Sequence, residues 1–147
     1  MRLCGLGHEV ECSVPKWNEP IPALENLAAC GAKLRFRPRR KGLLRRLTDK
    51  LISREGMPDV DALSVHWLRS FNPDLVVISQ GGPWEGMLWM NACRKLRLKH
   101  AVVVQAHDES WWPMDSWIAD FRSGLETAES VYFVSNANRR LMELQCG

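Results

Sequence analysis

Apolar residues follow two rhythms along the chain, a period of two and a period of three to four. From His8 to Pro15, HEVECSVP alternates, with Val10, Cys12 and Val14 on one side, which predicts a strand. Gly7, just before it, reads as the C′ residue of a short N-terminal helix. From Ile21 to Cys30 the spacing becomes helical, with Ile21, Leu24, Leu27 and Ala28 sharing a face and Gly31 as the stop. Lys33 to Arg37, KLRFR, is a second strand, with Leu34 and Phe36 inward and the arginines outward. Between Arg39 and Glu55, Leu43, Leu44, Leu47, Leu51 and Ile52 line one face of an amphipathic helix whose other face is strongly basic. Gly56-Met57-Pro58 breaks it. Asp59 is then placed to cap a helix with a stripe of Val60, Leu63, Trp67, Leu68 and Phe71.

The second half repeats the alternation. Asp74 to Ser79 is expected to be a buried strand, Gly81-Gly82 a tight turn, and a helix is expected to open at Pro83. Glu85 falls in its first turn, Arg94, Lys95 and Arg97 in its last, and Leu88, Ala92 and Leu96 form its inner row. Ala101 to Ala106, AVVVQA, is a continuous apolar run and predicts a strand buried on both faces. A loop from His107 to Pro113 leads into a helix carrying Met114, Trp117, Ile118, Phe121, Leu125 and Ala128. Val131 to Val134 is a third buried strand, and Ser135 caps a last helix with Ala137, Leu141 and Leu144 inward. Strands alternating with helices predict parallel βαβ units, an α/β fold with a Rossmann-like doubly wound parallel sheet, in one domain over residues 1–147.

Composition changes this picture in three places. Apolar content of 46% with no run of membrane-spanning length is that of a soluble globule. The five cysteines, an odd number without a C-x-x-C, argue against a disulfide framework or a zinc site and for a reducing cytoplasm. Charge is uneven, with ten Lys/Arg and one acid between Lys33 and Arg54. That stretch, with Arg39, Arg40, Lys41, Arg45, Arg46 and Lys50 at its centre, has three readings: a solvated face, a surface for anionic lipid headgroups, and, with least weight, a nucleic-acid patch.

Ligands of such sheets bind at the carboxyl ends of the strands, which selects three loops expected side by side. The first holds Gln80, Gly81, Gly82 and Trp84, where the glycines either admit a ligand to the backbone or simply form a turn. The second holds His107, Asp108, Glu109, Ser110, Trp111 and Trp112. His107 is a candidate proton carrier or hydrogen-bond donor to a substrate hydroxyl, with a loop histidine bonded to backbone as the plain alternative. Asp108 and Glu109, as adjacent carboxylates, point more to solvent than to metal. The tryptophans at 84, 111 and 112 suit either ring stacking or closure of the core. The third loop holds Ser135, Asn136 and Asn138, of which Ser135 and Asn138 fit a capping pair better than a ligand contact. Gly5 and Gly7 do not make a dinucleotide fingerprint, because no strand precedes them and Val10 takes the third glycine position. A nucleophile elbow, a P-loop and H-E-x-x-H are absent from the sequence.

LGHEVECSVPKW, NPDLVVISQGGPWEG, VVVQAHDESWWPMD and VYFVSNANRRLMELQCG together resemble the N-terminal domain of family 4 glycosyltransferases of GT-B architecture, nearly end to end. The resemblance implies the acceptor-binding half of a retaining enzyme that transfers a sugar from a nucleotide-sugar donor. Gln80, Gly81, Gly82, Trp84, Asp108, Glu109, Ser135 and Asn138 would then line the acceptor side, with His107 as the catalytic candidate. It implies no cofactor bound by this domain. It also implies a sugar or lipid-linked acceptor, a C-terminal donor-binding domain as partner, and peripheral docking on the inner face of an anionic membrane. The family's domain opens with a strand and glycine-rich loop that this chain lacks, so the expectation is a partial domain without its central first strand, inactive alone. A non-catalytic module that binds membrane or another polyanion through residues 39–54 is the alternative.

Overall fold

The computed structural model describes residues 2–37, 62–82 and 84–147. The basic helix of 39–55, its Arg39, Arg40, Lys41, Arg45, Arg46 and Lys50, the Gly56–Pro58 break, Asp59, Val60 and Pro83 lie outside them. The chain is α/β and divides into two compact units, Met1–Ser53 and Arg54–Gly147.

In the first unit, α1 (Arg2–Gly5) precedes β1 (Glu11–Pro15), and α2 (Pro22–Ala29) crosses to β2 (Lys33–Arg37). The strands are parallel, with Glu11 opposite Lys33 and Val14 opposite Phe36. Both glycine stops are real and use one device. Gly7 has φ 86° and Gly31 φ 89°. Gly7 N–H donates to Cys4 and His8 N–H to Leu3, at 3.1 and 3.2 Å, while Gly31 N–H donates to Ala28 and Ala32 N–H to Leu27, at 2.9 and 3.2 Å. Each is a left-handed cap that satisfies carbonyls the helix leaves open. Outside the strands' own ladder, Lys33 pairs with Glu9, and Arg35 Nε with Glu11 Oε2 at 3.2 Å. The predicted strand is shorter at its start than His8, and Phe36, expected inward, is 54% exposed.

The second unit runs α3 (Ala62–Phe71), β3 (Val76–Gln80), α4 (Met87–Leu96), β4 (His100–Val104), α5 (Asp115–Glu126), β5 (Ser130–Phe133) and α6 (Asn136–Cys146). Its strands form a parallel sheet in the order β3-β4-β5. Ile78 sits opposite Val102, and Val102 opposite Val131. These side chains share one face and pack with Met87, Met90, Cys93, Phe121 and Met142 into the core. Burial pushes the Cys93 thiol up to about 11, as expected of a structural cysteine. On the opposite face Val77 and Tyr132 are exposed, so β5 is not the fully buried strand its composition predicts.

Two helices differ from expectation. The helix after Gly81-Gly82 begins at Met87, because residues 84–86 form a turn, so Glu85 precedes the helix. Its most buried row is Met87, Met90 and Cys93 with Ala92, whereas Leu88 and Leu96 are half-buried. In α6 the inward stripe is Met142, Gln145 and Cys146; Leu141 is half-buried, Ala137 exposed, and Leu144 72% exposed. Two helical stripes coexist in that segment, and the neighbouring core decides between them. The α5 stripe holds from Trp117 on, with Phe121 fully buried, whereas Met114 is the cap residue and is exposed.

Candidate functional site

The carboxyl ends of β3, β4 and β5 bring the three candidate loops together, as the sheet rule requires. Gln105 is the link. Its N–H donates to the Gln80 carbonyl at 3.1 Å, its side chain donates to Ser79 Oγ, and its carbonyl accepts from Asn138 Nδ2 at 3.5 Å. Val134 N–H continues the ladder to Val104 at 3.3 Å.

The first loop is organised by its own side chains. Gln80 is buried, and its Oε1 accepts the Gly86 N–H at 3.1 Å. Gly86 has no room for a side chain: a Cβ there would lie 2.4 Å from Gln80 Oε1 and 2.9 Å from Ile78 Cγ2. The Gly82 N–H donates to Glu85 Oε2 at 3.1 Å, so a carboxylate of the loop already occupies an amide that a ligand anion would otherwise seek. Trp84 turns its ring edge-on to Phe121, centroids 4.8 Å apart, and its indole N–H donates to the Trp111 carbonyl at 3.1 Å. Trp84 therefore closes the core and ties the first loop to the second.

The second loop carries the charge. Asp108 accepts from the Ser110 N–H at 2.8 Å and from the Ser110 hydroxyl at 2.5 Å. The Ser110 hydroxyl and then its N–H hold the Asp108 carboxyl below the usual carboxylate range. That is a turn-stabilising role, and it aims Asp108 at its own loop. Glu109, Trp111 and Trp112 are exposed. Among the described residues no three His, Cys, Asp or Glu side chains gather into a metal-binding group.

His107 sits apart from this pattern. Its ring lies edge-on to Trp84, with centroids 5.7 Å apart. Both ring nitrogens are buried, and neither makes a hydrogen bond among the described residues. Burial lowers its pKa below the usual 6.5, partly opposed by the Gln145 amide and by Asp108. The imidazole is thus biased to its neutral form, which offers one donor and one acceptor. Gln145 is itself 3% exposed, with neither amide atom paired. Leaving a buried polar group unpaired costs about 1–3 kcal/mol, so these two side chains stand out among the described residues.

In the third loop Ser135 Oγ accepts the Asn138 N–H at 3.1 Å, the helix cap read from sequence. Of the candidate residues, Gln80, Gly81, Gly82, Trp84, His107, Ser135 and Asn138 thus converge at one sheet end, while Asp108 and Glu109 follow on the outer part of the second loop. Gln105, Gly86 and Gln145 were not foreseen. Gln145 had one signal: it lies three residues after Met142, on the helical row that continues to Cys146. His100 was also missed; it is buried and its Nε2 meets the Gly124 carbonyl at 2.9 Å, joining β4 to α5. The chain matches no family model, no curated protein and no solved structure.

Proposed function

We propose that this chain is the acceptor-binding half of a retaining glycosyltransferase, with a Rossmann-like doubly wound architecture. The observation that carries the reading is His107: a neutral-biased imidazole with two unpartnered nitrogens at the carboxyl end of a parallel strand. Such a group recognises a hydroxyl and can take or give a proton, which is the chemistry an acceptor or sugar hydroxyl needs. The family resemblance adds the substrate class. Its four segments fall on β1, on β3 with its turn, on β4 with its loop, and on β5 with α6. The strand pairing is consistent with it as well. Among the described residues β1 pairs with β2 alone and β3 with β4 alone.

In this reading Gln80 to Gly82 and Asn138 form the acceptor wall, and a nucleotide-sugar is held by a second α/β domain carrying a spaced pair of glutamates. The reading frame downstream and a radiolabelled-sugar transfer assay test it. Transfer that requires the second domain and falls sharply in His107→Ala supports the reading. Robust transfer by the isolated chain overturns the division of labour. A downstream frame with no such domain overturns the class.

The charge run from Lys33 to Arg54 favours a second function, attachment to an anionic membrane at the cytoplasmic face. Among the described residues no helix is long and apolar enough to cross a membrane, so the proposed contact is peripheral. Sedimentation with phosphatidylserine vesicles, lost on charge reversal at Arg39, Arg40, Arg45 and Arg46, is the expected outcome. Equal sedimentation of the charge-reversed chain counts against it.

A further inference from the structure

We propose that Trp111 and Trp112 form a stacking platform for an uncharged sugar ring beside His107, so that the acceptor presents a neutral saccharide to this loop and not a phosphate group. This rests on the reading of the sheet end as an acceptor site. The inference starts from where the tryptophans lie. Trp84 and Trp89 pack against the core, and Trp67 sets its ring edge-on to Trp89 with centroids 6.2 Å apart. Trp111 and Trp112 do the opposite. They are 46% and 61% exposed, adjacent in the chain, and follow β4 at the sheet end where ligands of such folds bind. Single exposed apolar side chains are ordinary, but two indoles with the exposed Met114 beside them make a patch.

The exposed pair is held on an anchored turn. The Trp111 N–H donates to the Asp108 carbonyl at 3.1 Å, and the Asp108 carboxylate accepts twice from Ser110, which closes residues 108–111 on themselves. Pro113 is buried on the far side. The Trp111 carbonyl accepts the indole N–H of Trp84, whose ring also meets that of His107. One indole thus ties the exposed pair to the histidine. Rings presented this way lose little freedom when a ligand settles on them.

The charges select the ligand. From His100 to Phe121 the chain carries Asp108, Glu109, Asp115 and Asp120 and no Lys or Arg. A phosphate or an anionic lipid surface would meet carboxylates there and be repelled. A wholly apolar partner would strip those carboxylates of water without replacing it. A sugar ring has both features the loop asks for. One face of C–H groups suits an indole, and its hydroxyl edges donate to carboxylate or imidazole. Glu109, exposed in the chain between His107 and the tryptophans, supplies such an acceptor.

Saturation-transfer NMR on the 147-residue chain tests the inference, with the methyl glycosides of glucose, galactose, mannose and N-acetylglucosamine as probes. At least one should bind, with saturation strongest on its ring C–H protons. Trp112→Ala should weaken that glycoside about tenfold and Trp111→Ala should weaken it as well, while Trp17→Ala, at an exposed ring of the first unit, leaves it unchanged. Trp112→Phe keeps a ring and should retain most of the binding, which guards against an alanine chain that fails to fold. The 6-phosphate of the sugar that binds should bind less well. Silence from all four glycosides at high millimolar concentration overturns the proposal. So does undiminished binding by a folded Trp112→Ala chain, or tighter binding of choline or of the phosphorylated sugar. Loss of sedimentation with phosphatidylserine vesicles in Trp112→Ala would make the rings a membrane contact and overturns it too. Failure here leaves His107-dependent transfer by the two-domain protein untouched, whereas failure of transfer with glycoside binding intact rejects the enzyme and keeps a saccharide-binding module.

Discussion

In the Met1–Ser53 unit, β1 and β2 are parallel strands joined through α2, which ends on Gly31 with φ 89°. In the Arg54–Gly147 unit, β3 and β4 are parallel strands joined through α4, which ends on Arg97 with φ 56°. Both ends use the same pair of bonds; in α4 the Arg97 N–H reaches Arg94 and the Leu98 N–H reaches Cys93, at 3.1 and 2.9 Å. The local grammar is therefore shared. The interiors are not. Among the described residues Ala32 is the buried apolar residue of the first unit, whereas the second encloses Ile78, Met87, Met90, Cys93, Val102, Val104, Phe121 and Met142. The difference lies in layering. In the second unit a third strand widens the sheet, and α4 packs on α5 over one face of it. A crossover helix and its cap are local events, but a core needs a second layer to close over the sheet.

The strongest way to break this comparison is to truncate one phenylalanine in each unit. Phe121→Ala should cost about 3–5 kcal/mol in urea denaturation, and Phe36→Ala, at an exposed position, less than about 1. Equal losses would mean that both units bury their aromatics alike. Next in size is Gly86→Ala, where the added methyl collides with Gln80 and Ile78. It should cost about 1–3 kcal/mol by overpacking and disturb the amide signals of the first loop. A neutral result would place Gly86 in looser surroundings than its contacts show.

The shared cap can be sharpened rather than broken. Arg97 occupies a left-handed position at which a side chain costs roughly 1 kcal/mol more than glycine. Arg97→Gly should therefore raise the thermal midpoint by a few degrees, while Gly31→Ala lowers it. The reverse order would show that the entropy of glycine outweighs the strain.

The last effect is one of pH. His107 has its folded-state pKa lowered by burial, so the unfolded chain binds the extra proton first. Stability should be full above about pH 6.5 and fall as pH drops from there towards the folded pKa. Below that the loss levels off. His107→Asn should flatten this slope in denaturation curves between pH 7 and 5. An unchanged slope would assign it to other groups.

Much of this was legible in the residues because it depends on neighbours in the chain. The glycine stops at Gly7 and Gly31, the KLRFR strand and the Ser135 cap each follow from a backbone preference satisfied within a few residues. The convergence of Gln80, His107 and Asn138 was legible too, since parallel strands align their carboxyl ends. The start of α4 was not. Pro83 and Glu85 are good first-turn residues, yet the Gln80 amide captures the Gly86 N–H and the Glu85 carboxylate captures that of Gly82, which holds residues 84–86 in a turn.

What the sequence by itself determined, then, is the order of strands and helices, where they stop, and which loops share a sheet end. Those follow from periodicity, turn chemistry and chain direction. Only the tertiary structure decided which stripe of α6 turns inward, that Trp84 belongs to the core, and that the Gln145 amide is buried. Each of these depends on a surface supplied by residues far away in the chain, and a side-chain pattern cannot say in advance which of two adjacent apolar rows will meet it.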